Sequence, residues 1–325
     1  MLVKDIYTVV EKDFDRVNQL IIEQLRSDVP MVEKIGHHII QSGGKRMRPL
    51  LVLLAAKALN SKDNSNDAHP LLAAIIEFLH TATLLHDDVV DTSDMRRGKA
   101  TANAKFGNGP SVLVGDFLYS RAFQMMVNLG SMKVMDILSN ATCVIAEGEV
   151  MQLMNVKNPD LTEEKYMDVI QGKTAMLFEA SSHSGAVLAN ASEPQEEALR
   201  LYGHHLGMAF QLVDDVLDYV GDAEALGKNV GDDLAEGKTT LPLIYAMKNG
   251  SPEQSTLIKQ AIRKGGTENL AHIITIVQDC GAIDYTNDKA FEHVKQAKAA
   301  IDCLDASPAK DALSALADLA VTRSH

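Results

Sequence analysis

Tryptophan is absent from this 325-residue chain, and aromatic residues make up only 5% of it. Sheet proteins draw heavily on aromatic and β-branched residues, so this shortage argues against a sandwich or a barrel. Hydrophobic residues nevertheless reach 46%, which is enough for a substantial core. The composition therefore favours a helical protein, with a length that allows one large domain or two ordinary ones.

The chain also has few cysteines. The three present, Cys143, Cys280 and Cys303, are odd in number and match no zinc-ligand spacing. We therefore expect no disulfide framework, and a reducing compartment such as the cytoplasm is the simplest interpretation. The three side chains are expected to pack as small apolar groups.

Positive charge is in short supply as well. Lysine and arginine total 31 against 44 aspartates and glutamates, which gives a net charge of −13. Nucleic acid needs a basic footprint, so we do not expect it as a partner. A small anionic ligand is still compatible with this balance, because a local cluster of cations can bind it.

Runs long enough to cross a membrane are missing from the N-terminal region. Residues 1–17 carry charge before any apolar run, which argues against a signal peptide. The longest apolar run of the first half, residues 49–59, is too short to span a bilayer. We therefore predict a soluble cytoplasmic protein with no transmembrane segment.

Helical periodicity, by contrast, dominates the sequence. Apolar residues recur every three or four positions, breaks fall at glycine and proline, and no long alternating stretch predicts a strand. The prediction is an all-α fold, a single large helical bundle forming one domain over residues 1–325. Its central helices should have about 20 residues or more, roughly 30 Å. Helical segments are expected near 4–27, 70–92, 110–129, 131–156, 161–191 and 194–220.

One apolar helical segment carries an unexpected group of acids. Asp87 and Asp91 are four residues apart and Asp88 and Asp91 are three apart, so they share one helix face. Such carboxylates repel one another and are costly to bury without a positive charge between them. A hard divalent cation would supply that charge, since it prefers carboxylate oxygen. A solvated acidic helix end is the alternative.

The same spacing recurs far along the chain, again within an apolar helical segment, at Asp214, Asp215 and Asp218. Two copies of the DDxxD pattern are hard to explain as two accidental charge patches. They predict two helices that face each other across a cavity with metal ions between them. Mg²⁺ usually shares its coordination shell with substrate phosphates, so the expected ligand carries a diphosphate or a similar group.

Cations flank both acidic motifs in this otherwise acidic chain. A helix start with adjacent lysine and arginine is a ready anion site, although the first cluster could also be an ordinary basic loop. The arrangement predicts two anionic groups bound at once. The cationic clusters and their neighbours are Lys45, Arg46 and Arg48; Arg96 and Arg97; Lys173 and Thr174; and Lys228 and Lys238.

Taken together, these motifs resemble those of the trans-isoprenyl diphosphate synthases, and within that family the bacterial octaprenyl diphosphate synthase type. The resemblance covers about residues 35–245, whereas residues 246–325 form a weakly marked helical tail. It rests on the stretches GGKRMRP, HTATLLHDDVVDTSDMRRGKATANAKFG, LVGDFLY, AEGEVMQL, KTAMLFEAS, FQLVDDVLDY and GKNVGDDLAEGKTTLPL.

The resemblance implies an all-α prenyltransferase built around a deep central cavity, usually as a homodimer. Such an enzyme would condense an allylic diphosphate, with farnesyl diphosphate as the expected primer, with successive isopentenyl diphosphates. The implied product is octaprenyl diphosphate for a quinone side chain, and a nonaprenyl or heptaprenyl product is an alternative. A class I terpene cyclase, a non-catalytic partner subunit and a helical scaffold are less compatible with the intact motifs.

The resemblance also implies roles for single residues. About three Mg²⁺ ions per site are implied, with Asp87, Asp91 and Asp214 as direct ligands and Asp88, Asp215 and Asp218 in support. Arg96 resembles the residue that grips the allylic diphosphate. The other residues implied to bind substrate, chiefly isopentenyl diphosphate, are Lys45, Arg46, Arg48, His80 and Arg97. The residues implied around the leaving diphosphate are Lys173, Thr174, Gln211, Lys228 and Lys238.

Two positions depart from the short-chain members of the family. Those tend to carry glutamine and aspartate in a GQxxD motif, whereas this chain has Glu149 and Gln152. We interpret the difference as a subfamily feature and assign no role to either residue. His80 also has an alternative, because a lone histidine on an apolar helix is often a satisfied core residue.

Product length is expected to depend on the helix that precedes Asp87. Ala82 and Thr83 are small, where short-chain members tend to place aromatic residues, and this favours a long product. Leu79 lies further down the same face. Met125 and Met126 are candidates for the floor of the product channel, because methionine packs adaptably against irregular apolar ligands. Apolar residues at helical spacing can equally be ordinary core.

Overall fold

The predicted all-α fold is confirmed. A computed structural model of the protein describes residues 3–59, 67–220 and 230–322, and the chain is 80% helical. One antiparallel pair of two-residue strands, β1 (Met95–Arg96) and β2 (Lys99–Ala100), interrupts the helices. The helices up to residue 154 are α1 (Val3–Thr8), α2 (Glu11–Gln24), α3 (Pro30–Ile40), α4 (Met47–Ala58), α5 (Ala68–Val90), α6 (Ala102–Phe106), α7 (Asn108–Leu129) and α8 (Met132–Met154).

The later helices include one turn of a different kind. A π-helix, Gln171–Ala175, lies directly between two α-helices. Among the described residues of this part, the α-helices are α9 (Glu163–Ile170), α10 (Met176–Leu188), α11 (Glu193–Val220), α12 (Asp232–Ala235), α13 (Leu241–Asn249), α14 (Pro252–Lys264), α15 (Leu270–Asp279), α16 (Ala282–Ala300) and α17 (Pro308–Thr322). A short 3₁₀-helix occupies Ile301–Cys303.

The chain forms two compact units. The first unit comprises residues 1–142, 177–203 and 298–316, and the second comprises 143–176, 204–297 and 317–325. The prediction of a single domain stays a prediction.

Helix α5 is the central element of the first unit, because apolar residues cover most of its circumference. Ala74, Ile75 and Ile76 are each 0% exposed although consecutive residues point about 100° apart around the helix. The helix packs against α2, α4 and α7. Its acidic motif stands at its C-terminal end, so the packing of α5 fixes the position of those aspartates.

Two apolar clusters lie among the described residues of the second unit. One lies between α13, α14 and α15 and includes Leu243, Ile258 and Ile273. The other includes Tyr166 and Leu212, and it packs α9 against α11. Helix α9 begins where Thr162 accepts a hydrogen bond from the backbone N–H of Lys165, an ordinary N-cap. These contacts place the second acidic motif, on α11, beside α9 and the π-helix.

Several predicted boundaries differ from the observed ones. The segment expected as one helix over 4–27 is two helices, with residues 9 and 10 in a turn. The segment over 161–191 contains the π-helix, which apolar periodicity does not distinguish from a continuous α-helix. Cys143 and Cys303 are exposed, so the prediction that the cysteines pack as small apolar groups was wrong for both; Cys280 is partly buried.

One helix meets the length and composition expected of a membrane span. Ala68–Val90 has a mean hydropathy of 1.4 over its most apolar window, and 61% of that window is buried inside the protein. The core helix of a globular protein passes the same test, so this is weak support for a span. The sequence analysis predicted this helix near 70–92 but considered only the shorter run at 49–59 as a possible span.

Candidate active site

The first acidic motif ends α5. Asp88 is 1% exposed, and Asp87 and Asp91 are half-buried. The backbone N–H of Asp91 donates to the carbonyl of Asp87 over 2.8 Å, so the helix continues through the motif. The three carboxylates therefore do have the helical spacing that the sequence predicted.

Arg96 holds the buried member of this motif. From β1 its Nε and Nη2 donate to Oδ1 of Asp88 over 2.9 and 2.6 Å. The other oxygen, Oδ2 of Asp88, is buried and has no hydrogen-bond partner among the described residues. A buried carboxylate oxygen of this kind is costly unless it meets a cation, so the motif fits the predicted divalent metal.

The predicted basic cluster surrounds the start of α4. Arg48 Nη1 lies 3.3 Å from Nε2 of His80. Arginine can only donate, so Nε2 must accept and the imidazole carries its proton on Nδ1. Burial and the neighbouring Arg48 lower the pKa of His80 well below its usual value, which keeps the ring neutral. The Arg48 guanidinium also stacks 4.2 Å from the ring centre of Phe178.

Glycine makes room for a second cation of this cluster. Arg97 Nη1 donates to the carbonyl of Gly43. Gly44 has φ of 144°, and a Cβ there would stand 2.5 Å from Arg97 Nη1. A side chain at Gly44 would therefore expel the guanidinium. The adjoining Lys45 is exposed, and its carbonyl accepts a hydrogen bond from Tyr7.

A buried acid lies beneath these cations, and sequence reasoning missed it. Glu77 has a side chain only 13% exposed, and its Oε1 is 3.9 Å from Nε of Arg46. Burial raises the pKa of Glu77, and Arg46, Arg48 and Arg97 oppose that rise. A charged residue on the apolar face of α5, three positions before His80, was the available signal.

The second acidic motif lies in the second unit, near the end of α11. Asp215 and Asp218 are 2% and 0% exposed, whereas Asp214 is half-buried. Asp215 accepts hydrogen bonds from the Tyr166 hydroxyl and, over 2.7 Å, from Gln211 Nε2. Burial, reinforced by the charge of Asp233, raises the pKa of Asp215 to about 7. Sequence reasoning assigned no role to Tyr166 or to Asp233, although Asp233 lies within the quoted stretch GKNVGDDLAEGKTTLPL.

The π-helix brings two predicted residues to this motif. Thr174 Oγ1 donates to Oε1 of Gln211 over 2.8 Å. Lys173 Nζ donates to Glu149 Oε2 over 2.7 Å and to Gln152 Oε1 over 2.8 Å. Lys173 and Thr174 are adjacent in sequence and line the same cavity of about 120 Å³. The cavity is also lined by Gln152, Tyr166, Gln211, Asp215, Asp233 and Lys238.

Lys238 is the remaining predicted cation of this cavity. Its Nζ forms an ion pair with Glu236 over 2.7 Å, and its side chain is 14% exposed. Its backbone N–H donates to the carbonyl of Asp233, which fixes the loop after α12. Lys228 lies outside the described residues.

The residues predicted to set product length are mostly core residues. Ala82 and Leu79 on α5 are 1% and 2% exposed, and Met125 and Met126 on α7 are 1% exposed each. Thr83 is half-buried, and its Oγ1 donates to the carbonyl of His80. The close packing of α5 against α7 is compatible with a wall for an apolar chain, and their role in product length stays a prediction.

The carboxylates do not form a complete metal cage by themselves. Within residues 3–59, 67–220 and 230–322, no three histidine, cysteine, aspartate or glutamate side chains gather closely enough to hold an ion. Mg²⁺ commonly takes only one or two carboxylates and completes its shell with water and substrate phosphate. The separate carboxylates are therefore compatible with a metal ion that completes its shell with water and substrate oxygen.

Comparison with known proteins decides the family. The sequence matches the polyprenyl synthetase family over residues 29–279. The chain belongs to that family. The predicted family and the predicted enzyme class, prenyltransferase, are thereby confirmed.

Similar proteins extend the likeness of this polyprenyl synthetase to the full chain. Octaprenyl diphosphate synthase of Escherichia coli (strain K12) is 53% identical over 324 residues and spans 99% of both chains. An all-trans-nonaprenyl-diphosphate synthase (geranyl-diphosphate specific) of Rhodobacter capsulatus is 49% identical over 320 residues, 98% of each chain. A crystal structure of a polyprenyl synthase from Caulobacter crescentus CB15, complexed with calcium and isoprenyl diphosphate, has a TM-score of 0.96 and 45% identity. It covers 100% of this chain and 98% of that one.

Proposed function

We propose that this polyprenyl synthetase is a long-chain all-trans polyprenyl diphosphate synthase. It condenses an allylic diphosphate, with farnesyl diphosphate as the primer, with successive isopentenyl diphosphates to give octaprenyl diphosphate for a quinone side chain. The observation that carries the proposal is the 53% identity, end to end, with an octaprenyl diphosphate synthase.

The chemistry of each addition uses the side chains described above. The allylic C–O bond breaks, and the diphosphate leaves with the bonding electrons. The alkene of isopentenyl diphosphate then attacks the allylic carbocation, a C–C bond forms, and a proton is lost from the neighbouring carbon. The departing diphosphate is the proposed base. Lys173 and Lys238, which line the cavity of the second unit, stabilise its negative charge.

The proposed metal is Mg²⁺, about three ions per site. When bound, it would neutralise charge on the leaving diphosphate. Asp87, Asp91 and Asp214 are the proposed direct ligands, and Asp88, Asp215 and Asp218 support them. The polyprenyl synthase of Caulobacter crescentus was crystallised with calcium and isoprenyl diphosphate. That complex supports the proposal that a divalent cation binds together with the diphosphate.

Isopentenyl diphosphate is assigned to the basic cluster of the first unit. Arg48, Arg97 and the neutral His80 lie together there, and Lys45 stands at the exposed edge. The pairing of Arg48 with His80 and its stacking on Phe178 hold the guanidinium in one orientation. A preorganised cation of this kind loses little conformational entropy when the anion binds.

A nonaprenyl product is the second candidate. The specific observation in its favour is the 49% identity with the nonaprenyl diphosphate synthase of Rhodobacter capsulatus. The two candidates share substrates, metal and mechanism, so they differ only in how many additions precede release.

We further propose that the protein is a cytoplasmic homodimer and that its two units work as one catalytic domain. In the first unit, Leu113, Val127 and Met132 are 68%, 67% and 77% exposed. In the second unit, Val150, Leu153 and Met154 are 56%, 58% and 79% exposed. Contiguous exposed apolar surface is typical of an interaction site, and Val150, Leu153 and Met154 share one face of α8.

The test is release of diphosphate by the purified protein. Release should require farnesyl diphosphate, isopentenyl diphosphate and Mg²⁺ together. A terpene cyclase would instead release diphosphate from farnesyl diphosphate alone, and a non-catalytic partner subunit would release none. Either of those results would refute the proposal.

A further inference from the structure

The two residues that depart from the GQxxD pattern both contact the same lysine. Lys173 Nζ lies 2.7 Å from Glu149 Oε2 and 2.8 Å from Gln152 Oε1. Both partners are on α8, three residues and therefore about one turn apart. Two hydrogen bonds to neighbouring turns of one helix restrict the directions in which the ammonium can point.

The backbone brings this lysine unusually close to α8. A Cβ built on Gly148 would stand 2.6 Å from the backbone nitrogen of Lys173 and 2.8 Å from the carbonyl carbon of Gly172. Only glycine permits that approach. The π-helix therefore lies directly against α8 one residue before Glu149, and the lysine side chain has little freedom to leave its partners.

The contact is also partly shielded from water. The side chains of Lys173 and Glu149 are 20% and 28% exposed. An ion pair of this kind is stronger than a fully exposed one, because solvent screens it less. Gln152 and Lys173 both line the cavity that contains Thr174, Gln211 and Asp215.

We propose that Glu149 and Gln152 are positioning residues that aim the Lys173 ammonium at the diphosphate in this cavity. This proposal rests on the proposed function in one respect, namely that the ligand of the cavity is a diphosphate. The GQxxD pattern also supplies one carboxylate and one amide on the same face of a helix. Here their order is reversed, and the pair keeps the same total charge.

The order of the two groups can therefore be exchanged as a test. Two single variants are Glu149→Gln and Gln152→Met, and the double exchange combines Glu149→Gln with Gln152→Glu. Each of the three is also made in a Lys173→Ala background. Glu147→Gln is the matched control, since Glu147 is an exposed carboxylate on the same helix. The readout is the affinity for inorganic diphosphate in the presence of Mg²⁺, measured by calorimetry, with thermal unfolding as a check of the fold.

Loss of a charge-assisted hydrogen bond predicts about tenfold weaker diphosphate binding for Glu149→Gln. Gln152→Met should weaken binding less, because a neutral hydrogen bond is lost. The double exchange should recover most of the affinity. In the Lys173→Ala background neither single change should lower the diphosphate affinity further. A double-mutant cycle would then show that both residues act through the lysine. Glu147→Gln should bind like the wild type.

Three results would overturn the proposal. The first is wild-type affinity in both single variants. The second is an equal loss with and without Lys173, which would indicate a structural role unrelated to the lysine. The third is unchanged affinity in Lys173→Ala itself. None of these would refute the proposed synthase, because product formation by the wild-type protein is measured separately.

Discussion

At the scale of single residues, the sequence predicted which residues belong to the site more readily than which side chains they contact. The motifs predicted that Asp88 and Arg96 belong to one site, and the structure pairs them directly. Glu77 and Tyr166 escaped prediction because their partners come from distant segments. Tyr166 bonds a residue 49 positions away. A single sequence contains no record of such contacts, whereas a repeated local spacing such as DDxxD is visible in it.

The acidic motif offers a residue-scale prediction. Asp87→Asn keeps the shape of the side chain but removes its charge, so a divalent metal and its diphosphate should bind poorly. We expect turnover to fall by about a hundredfold or more, with helicity by circular dichroism unchanged. Asp136→Asn, an exposed aspartate on α8, is the control. Near-normal turnover in Asp87→Asn would exclude the metal role.

The small residue before the motif gives a second prediction. Ala82→Phe places a large ring where the side chain is now 1% exposed. If the growing chain runs along α5, the ring should block it and shorten the products, as seen by chromatography of the dephosphorylated alcohols. Ala104→Phe, at an exposed position of α6, should leave the products unchanged. The same product ladder in Ala82→Phe would show that Ala82 does not line the path.

At the scale of elements, the long helices were predictable and the interruptions were not. Residues 68–90, 108–129 and 193–220 form helices within two residues of the predicted bounds. The π-helix at 171–175 depends on how closely its backbone meets Gly148 of α8, a tertiary contact that periodicity does not contain. Lys173 was thus predicted as a site residue, but the element that presents it was not.

Gly148 tests the importance of that element. Gly148→Ala introduces a Cβ into the backbone of the π-helix, so we expect a loss of about 1–3 kcal/mol in the free energy of unfolding. Diphosphate affinity should fall as well. Gly109→Ala is the matched control, since nothing lies within 4 Å of a Cβ at Gly109. Equal stability of the two variants would contradict the close approach.

A histidine pair gives an element-scale prediction about pH. Nδ1 of His205 on α11 lies 3.0 Å from Nδ1 of His293 on α16. Burial, with the nearby charges of His204 and Lys289, lowers the pKa of His293 to about 4. The unfolded chain takes up this proton near the ordinary value of 6.5, so stability is complete above that pH and decreases from there toward pH 4.

Removing the buried imidazole should therefore flatten the pH dependence. His293→Asn is expected to lose less stability than the wild type between pH 6.5 and 4, measured by urea unfolding. For each protein, the change in the free energy of unfolding between the two pH values is compared. A loss of stability that is the same at every pH cancels in this comparison. Parallel curves would show that His293 does not titrate as the structure indicates.

At the scale of the whole molecule, the helical class and the enzyme family were predictable from motifs over about two thirds of the chain. The remainder was not, because residues 246–325 carry helical patterning without any chemical signature. Relatives that match 99% of the chain show that this tail is shared within the family. Product length also belongs to this scale, since we propose that it depends on how far an apolar path extends and not on any single motif.

The most direct test of the central claim is the product itself. The purified protein is incubated with farnesyl diphosphate, isopentenyl diphosphate and Mg²⁺, and the dephosphorylated products are separated by chromatography. We predict octaprenol as the main product, and none when the metal is removed by a chelator. Products no longer than the primer, or elongation that persists without a divalent metal, would contradict the account.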